Sequence, residues 1–150
     1  MMDKQELWTI IELELKRQIS EITSNLDTIE QSKAQETKSS AGDKFETGRA
    51  MMQIEEDKLL GQLKRKKEDL LKVKVLQSGN TNSDFIREGS LVRCGKQWFL
   101  IGLSLGKLKL DDKVVYGIST QAPLALRLLG KELGEELQLN DRTLVIEEVV

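Results

Sequence analysis

The chain of 150 residues contains no histidine, one cysteine and one proline, and aromatic residues make up only 4% of it. Without histidine, Ser-His-Asp and Cys-His nucleophile systems and most zinc sites are excluded. A single cysteine excludes an intrachain disulfide framework, and no apolar run approaches the roughly 20 residues of a membrane-spanning helix. We therefore expect a cytoplasmic protein without membrane contact, in which any catalysis relies on carboxylates, lysine, tyrosine or a metal ion.

The charge is abundant but balanced. Charged residues make up 32% of the chain, and 25 acidic against 23 basic residues give a net charge of -2. This balance provides no overall attraction to nucleic acid, so such contact would need a local patch. The densest basic cluster is Leu63–Lys67 (LKRKK), followed by Lys72 and Lys74. Because acidic residues flank it, we interpret it as a solvated helix face. Those residues are Glu55, Glu56, Glu68 and Asp69.

Two segments of the first half carry apolar residues at a spacing typical of amphipathic helices, with intervals of three and four positions in the first and of three, four and seven in the second. The first stripe comprises Trp8, Ile11, Leu15, Ile19, Ile22, Leu26 and Ile29; the second comprises Met52, Leu59, Leu63, Leu70 and Val73. The turn signal SSAG lies between them. We predict an antiparallel coiled-coil hairpin over residues 1–78, with its tip at about 39–48. Each arm of about 30 residues would extend about 45 Å.

The second half has the pattern of a small α+β domain over residues 85–150, reached through a Ser/Asn/Gly-rich linker at 79–84. Short β-rich runs alternate with turn signals, and the only proline precedes an apolar run that ends at a glycine. The predicted strands are SLVRC, QWFLIG, VVYGIS, ELQL and TLVIEEVV, with turns at Gly95–Lys96, Asp111–Asp112 and Asn140–Asp141, and the predicted helix is APLALRLLG. We expect an antiparallel sheet with this one short helix on a face.

Four residues of this half could suggest chemistry but are better explained as core. Cys94 lies in a predicted strand with no histidine to activate it, so an inert thiol is expected. Trp98, Phe99 and Tyr116 could line an isomerase-type pocket. In a chain with so few aromatic residues, we expect them to form the core instead, without prolyl isomerase activity.

Asp43 and Glu46 follow the SSAG turn and are three residues apart. The common explanation is a capping box, with Asp43 as the N-cap, Glu46 at the third helical position and Gly42 providing the bend. An alternative is a partial shell for Mg²⁺, because ionised carboxylates at a helix N-terminus offer hard oxygen ligands. Two carboxylates do not form a tight site, so a partner would have to complete it.

Two stretches resemble the bacterial Gre-type transcript-cleavage factors. AGDKFETGRA is similar to the tip of their hairpin, which carries a GDxxEN motif, and Asp43 and Glu46 match its two acidic positions. ISTQAPLALRLLGKELGEEL (Ile118–Leu137) is similar to their C-terminal pattern of a Ser-Pro-apolar helix followed by GKxxGD/E. The order of parts also agrees with the family: a coiled-coil hairpin, a linker, and a small FKBP-like α+β domain.

The resemblance implies a transcription elongation factor that binds bacterial RNA polymerase and inserts its hairpin into the secondary channel. It implies that Asp43 and Glu46 help to hold a Mg²⁺ ion shared with the polymerase, which then hydrolyses its own backtracked transcript. The chain would not be an enzyme alone, and we expect a monomer. Lys38, Lys44 and Arg49 would lie close to the nascent RNA. The implied docking residues are Ser119, Pro123, Leu124, Leu128 and Gly130.

The tip also departs from the family. After the second acid the family has Asn, Ala, Glu and an aromatic residue, whereas this chain has Thr47, Gly48, Arg49 and Ala50. Arg49 replaces an acid, and Gly48 weakens the first helical turn. These changes bear on cleavage more than on binding. The alternatives are therefore a polymerase-channel inhibitor that does not promote cleavage, or a coiled-coil adaptor without a catalytic role.

Overall fold

The computed structural model describes residues 2–36, 42–79 and 84–150, with side chains left out at 36 and 42–45. The chain forms two long helices, α1 (Lys4–Glu36) and α2 (Gly42–Ser78), then four strands, a short helix and two further strands. The strands are β1 (Leu91–Cys94), β2 (Gln97–Ile101), β3 (Gly106–Leu110), β4 (Lys113–Ile118), β5 (Glu136–Leu139) and β6 (Arg142–Val149), and the short helix is α3 (Pro123–Leu128). The α+β class is confirmed, and none of the described helices is long and apolar enough to cross a membrane.

The chain divides into two compact units. One is Ile11–Lys72, and the other combines Met1–Ile10 with Val73–Val150. The first contains most of both long helices, which form a helical hairpin, and its interior follows the predicted stripes. Ile11, Leu15, Ile22 and Leu59 are buried there. The predicted SSAG turn includes residues 39–41, which lie outside the described part of the chain.

Polar contacts also join the two helices inside this unit. Near the end of α1, the Lys33 ammonium donates hydrogen bonds to Gln53 Oε1 at 2.9 Å and to Glu56 Oε2 at 3.0 Å. The Lys33 and Glu56 side chains are only 20% and 26% exposed, so this ion pair is partly shielded from water. Gln53 in turn donates to Asp57 Oδ1 at 2.9 Å. These hydrogen bonds connect the C-terminal part of α1 to the N-terminal part of α2.

The second unit is built on a six-stranded sheet with the strand order β3-β4-β2-β1-β6-β5. The expectation of a purely antiparallel sheet is wrong, because β2 and β4 pair in parallel. The chain forms β3 before β4, and the tight β3–β4 turn at Asp111 (φ 55°) returns β4 into the position beside β2. β3 itself was not among the predicted strands. The other predicted turns are present, with Gly95 and Asn140 in the left-handed region.

Both faces of the sheet are covered. On one face, Ala125 and Leu128 of α3 join a core cluster with sheet residues that include Val92, Phe99 and Ile146. Residues that alternate with these along the strands face the other side, and Leu91, Trp98, Leu100 and Val115 are buried as well. In the same unit, Leu7, Trp8 and Val73 from the helix ends are fully buried. The Lys4 ammonium donates a hydrogen bond to the Val150 carbonyl at 2.8 Å.

Gly117 in β4 shows how closely the chain packs over this sheet. A Cβ at this position would lie 2.8 Å from the Leu103 carbonyl oxygen and 2.8 Å from the Leu105 Cβ. The segment that connects β2 to β3 therefore crosses directly over β4, and only a residue without a side chain allows that approach.

Candidate functional site

The acidic pair lies at the beginning of α2. This helix starts at Gly42, so Asp43 is its second residue and Glu46 its fifth. The helix thus begins one residue before the predicted N-cap, and the expected capping box stays a prediction because it depends on the Asp43 side chain. A spacing of three positions places the two residues on one side of the helix, at the positive end of its dipole. Glu46 is exposed to solvent, and the Asp43 side chain is outside the described part of the structure.

The residues next to the acidic pair include Arg49 and the other basic residues that were predicted to lie close to RNA. Thr47 and Arg49 are exposed, and Gly48 is half-buried. The helix α2 continues through Gly48, although this glycine was expected to weaken the first turn. Arg49 is three residues after Glu46 and shares its side of the helix. Lys44 belongs to α2, but its side chain is not described, and Lys38 lies outside the described residues. Of the three residues predicted to meet RNA, only Arg49 has a described, solvent-facing side chain.

The donor set at the start of α2 fits a hard cation only in part. Carboxylate oxygens are the ligands that Mg²⁺ prefers, but Mg²⁺ sites are usually completed by water and by the phosphates of a substrate. Within the described residues, no group of three or more acidic or cysteine side chains is arranged to hold a metal ion. A Mg²⁺ ion shared by Asp43, Glu46 and a partner stays a prediction, because the Asp43 side chain lies outside the described part of the structure.

The C-terminal motif surrounds α3 and is largely structural. Pro123 is exposed and occupies the first helical turn, where its missing N–H costs nothing. The Ser119 carbonyl accepts a hydrogen bond from the Ala122 N–H at 3.1 Å, which closes the turn before the helix. Leu124 is partly buried against the core, and Leu128 is fully buried within it. Leu128 thus has no side-chain surface left for a partner, and Pro123 is the better exposed of the predicted docking side chains.

The two motif glycines have backbone roles. Gly130 and Gly134 have φ values of 84° and 89°, the left-handed region that favours glycine. Their N–H groups donate to the carbonyls of Ile86 and Ile146, each at 2.8 Å. The motif GKELG therefore fixes the connection between α3 and β5 against the sheet. This explains the glycine spacing without a ligand.

Two exposed leucines of the same motif were missed by sequence reasoning. Leu126 is 63% exposed on α3, and Leu133 is 62% exposed in the following turn. Helical counting from the buried Ala125 and Leu128 would have placed Leu126 on the outer side of α3. No sequence pattern distinguished Leu133. Leu126, three residues after the exposed Pro123 on α3, is a candidate for a protein contact.

The residues that were interpreted as core behave as such. Cys94 is buried, and burial, the main cause, raises the pKa of its thiol, which makes it a poor nucleophile. Trp98 and Phe99 are buried, and the Phe99 and Tyr116 rings pack with their centroids 6.0 Å apart. Trp98 and Phe99 are thus part of the buried interior of the sheet, and Tyr116 packs against the core cluster.

Comparison of the chain with protein-family models, with curated proteins and with solved structures finds no match.

Proposed function

We propose that this chain is a Gre-type transcription elongation factor. In this proposal it is a monomer in the bacterial cytoplasm. The helical pair acts as a coiled-coil hairpin that enters the secondary channel of RNA polymerase, and the sheet unit acts as an FKBP-like docking domain. Asp43 and Glu46 then promote hydrolysis of a backtracked transcript by the polymerase. The proposal depends on the two motifs and on the order of the elements, and not on similarity along the whole chain.

The observation that carries the proposal is the position of the acidic pair. Asp43 and Glu46 begin the second of two helices that are joined by a short connection, and Glu46 is exposed. From Glu46 to Lys72, the last residue of the helical unit, α2 rises about 39 Å. A carboxylate presented this far along a helix can reach a centre inside another protein. An ordinary helix terminus requires no such length.

The two carboxylates have a definite chemical role in this proposal. Asp43 and Glu46 would donate oxygen ligands to a Mg²⁺ ion whose remaining ligands come from the polymerase and the transcript. When bound, such an ion lowers the pKa of a coordinated water and stabilises the charge that develops on a phosphodiester during hydrolysis. Arg49 and Lys44 would contact the phosphates of the RNA.

The test is a cleavage assay on a stalled, backtracked complex of bacterial RNA polymerase. The wild-type chain should shorten the transcript, and Asp43→Ala or Glu46→Ala should abolish this while polymerase binding is retained. Glu55→Ala is the matched control, because Glu55 is an exposed acid on the same helix and farther from its start. Loss of binding in the two tip variants, or full cleavage by both, would contradict the assigned role.

A second function is favoured by the exposed Arg49. Its positive charge stands on the same side of α2 as Glu46, where the family carries a further acid, and it would oppose a bound cation. In this alternative the chain enters the channel and inhibits the polymerase without promoting cleavage, or serves as an adaptor. Binding to the stalled complex without shortening of the transcript would support the alternative. Arg49→Glu should then confer cleavage.

A further inference from the structure

One face of α2 combines exposed leucines with lysines. Leu60, Lys64, Lys67 and Leu71 are separated by four, three and four positions, so they form one stripe along the helix, here called the Leu-Lys stripe. Leu60 is 47% exposed and Leu71 is 64% exposed, and both lysines are exposed. The stripe is about 16 Å long and lies entirely within the helical unit.

The lysines of the stripe are not neutralised within the described structure. Neither Lys64 nor Lys67 forms an ion pair or a hydrogen bond with a described side chain. Of the four acids expected to balance this cluster, Glu56 pairs instead with Lys33 at 3.0 Å, and Glu68, four positions after Lys64, forms no ion pair within the described residues. The charge of the stripe therefore remains available to another molecule.

The outer surface of α1 shows the contrasting arrangement. There Lys16 pairs with Glu12 at 3.1 Å, and Arg17 pairs with Glu14 at 2.8 Å and with Glu21 at 2.9 Å. That surface has the alternating charges of a solvated helix. The four members of the Leu-Lys stripe include no acid, although the exposed Glu68 lies beside it, four positions after Lys64. Two large apolar side chains exposed to water distinguish the stripe from a helix face that carries only charges.

The stripe lies on a different side of α2 from the residues that are buried between the two helices. Leu59 is buried, and Leu60, the next residue, is rotated about 100° from it around the helix. The unit is thus closed by one side of α2 while the stripe faces outward. A partner could cover the stripe without separating α1 from α2.

The composition of the stripe selects the class of partner. Nucleic acid binds through its phosphates and would use the lysines, but it would gain little from the leucines. A protein surface with acidic groups around an apolar centre complements both. We propose that the Leu-Lys stripe docks on an acidic, partly apolar surface of RNA polymerase, as a grip separate from Asp43 and Glu46. This inference rests on the proposed function.

The test measures the affinity of the chain for purified bacterial RNA polymerase core enzyme without nucleic acid. The charge-reversed variant Lys64→Glu/Lys67→Glu should bind about tenfold or more weakly, and Leu60→Ser/Leu71→Ser about tenfold more weakly. Lys58→Glu/Arg65→Glu is the matched control, with the same change of charge at exposed positions on another side of α2. Leu13→Ser, at a leucine 63% exposed on α1, is the apolar control. Both controls should bind like the wild type.

Each outcome decides the inference. Unfolding midpoints equal to the wild type would show that the stripe variants are folded, and the affinity of the wild type should fall with added salt more steeply than that of the charge-reversed variant. If the wild type binds and the stripe variants bind equally well, the stripe is not a grip, although the proposed function stands. The measurement is repeated with RNA bound to the core enzyme. If only the lysine changes weaken binding, and only in this repeat, the partner is nucleic acid and the inference is wrong. If the wild type does not bind the core enzyme at all, both the inference and the proposed function fail.

Discussion

Leu126 and Leu128 form a matched pair of substitutions within α3 that separates folding from docking. Both are leucines of the motif that resembles the Gre family, two positions apart on one helix. Leu128 is fully buried in the core cluster, whereas Leu126 is 63% exposed. Replacing each by alanine removes the same atoms from opposite environments.

The expected effects on stability differ severalfold. Truncation of a buried leucine to alanine loses the transfer free energy and leaves a cavity, so Leu128→Ala should lower the free energy of unfolding by about 3 kcal/mol. Leu126 already exposes most of its side chain, and alanine has the higher helix propensity, so Leu126→Ala should change it by less than about 0.5 kcal/mol. If α3 contacts the polymerase, Leu126→Ala should nevertheless weaken binding.

Urea unfolding followed by tryptophan fluorescence measures the stability directly. The tryptophans, Trp8 and Trp98, are both buried and both belong to the unit that contains the sheet, so the signal reports on the unit that contains α3. Equal destabilisation by the two alanine variants would refute the assignment of Leu128 to the core. So would a loss below about 1 kcal/mol for Leu128→Ala.

Three further predictions concern other parts of the chain. A double-mutant cycle of Lys33→Met and Glu56→Gln should give a coupling of about 1 kcal/mol in thermal unfolding, because the pair is partly shielded, and a coupling of zero would remove its role in joining the helices. Gly117→Ala should cost about 1–3 kcal/mol, because the new Cβ meets the Leu103 carbonyl, and unchanged urea unfolding would contradict that close approach. The Cys94 thiol, buried and with its pKa raised, should react with an aromatic disulfide reagent only slowly until the protein unfolds, and immediate reaction at pH 8 would show that it is accessible.

Much of the fold could be predicted because its determinants are local. The apolar spacing marked both long helices and the sides they bury, as Leu15 and Leu59 illustrate. Pro123 marked the start of α3, and Asn140, with its φ of 55°, marked the turn between β5 and β6. In each case a few neighbouring residues decide the backbone conformation, so the sequence carries the information directly.

The features that were missed depend on distant residues. The segment GKLKL has only Leu108 and Leu110 as apolar positions and became β3 because β4 pairs with it. The parallel pairing of β2 with β4 could not be predicted, because no local sequence pattern determines which strands become neighbours in the sheet. At the candidate site, spacing alone identified Asp43 and Glu46. The burial of Leu128 could not be predicted in the same way, because it depends on how α3 packs against residues from several strands.

The division of the chain has a consequence for its synthesis. The unit that contains the sheet is discontinuous, because it uses Met1–Ile10 as well as Val73–Val150. The segment Met1–Ile10 is synthesised before any of the strands. Leu7 and Trp8, which are buried in the folded unit, therefore stay exposed until the rest of this unit has been made. If α1 and α2 pair first through their local contacts, they shorten the effective loop between Ile10 and Val73 and reduce the conformational entropy that is lost when the discontinuous unit folds. Pairing of the helices would then bring the two segments of the discontinuous unit together before its strands form.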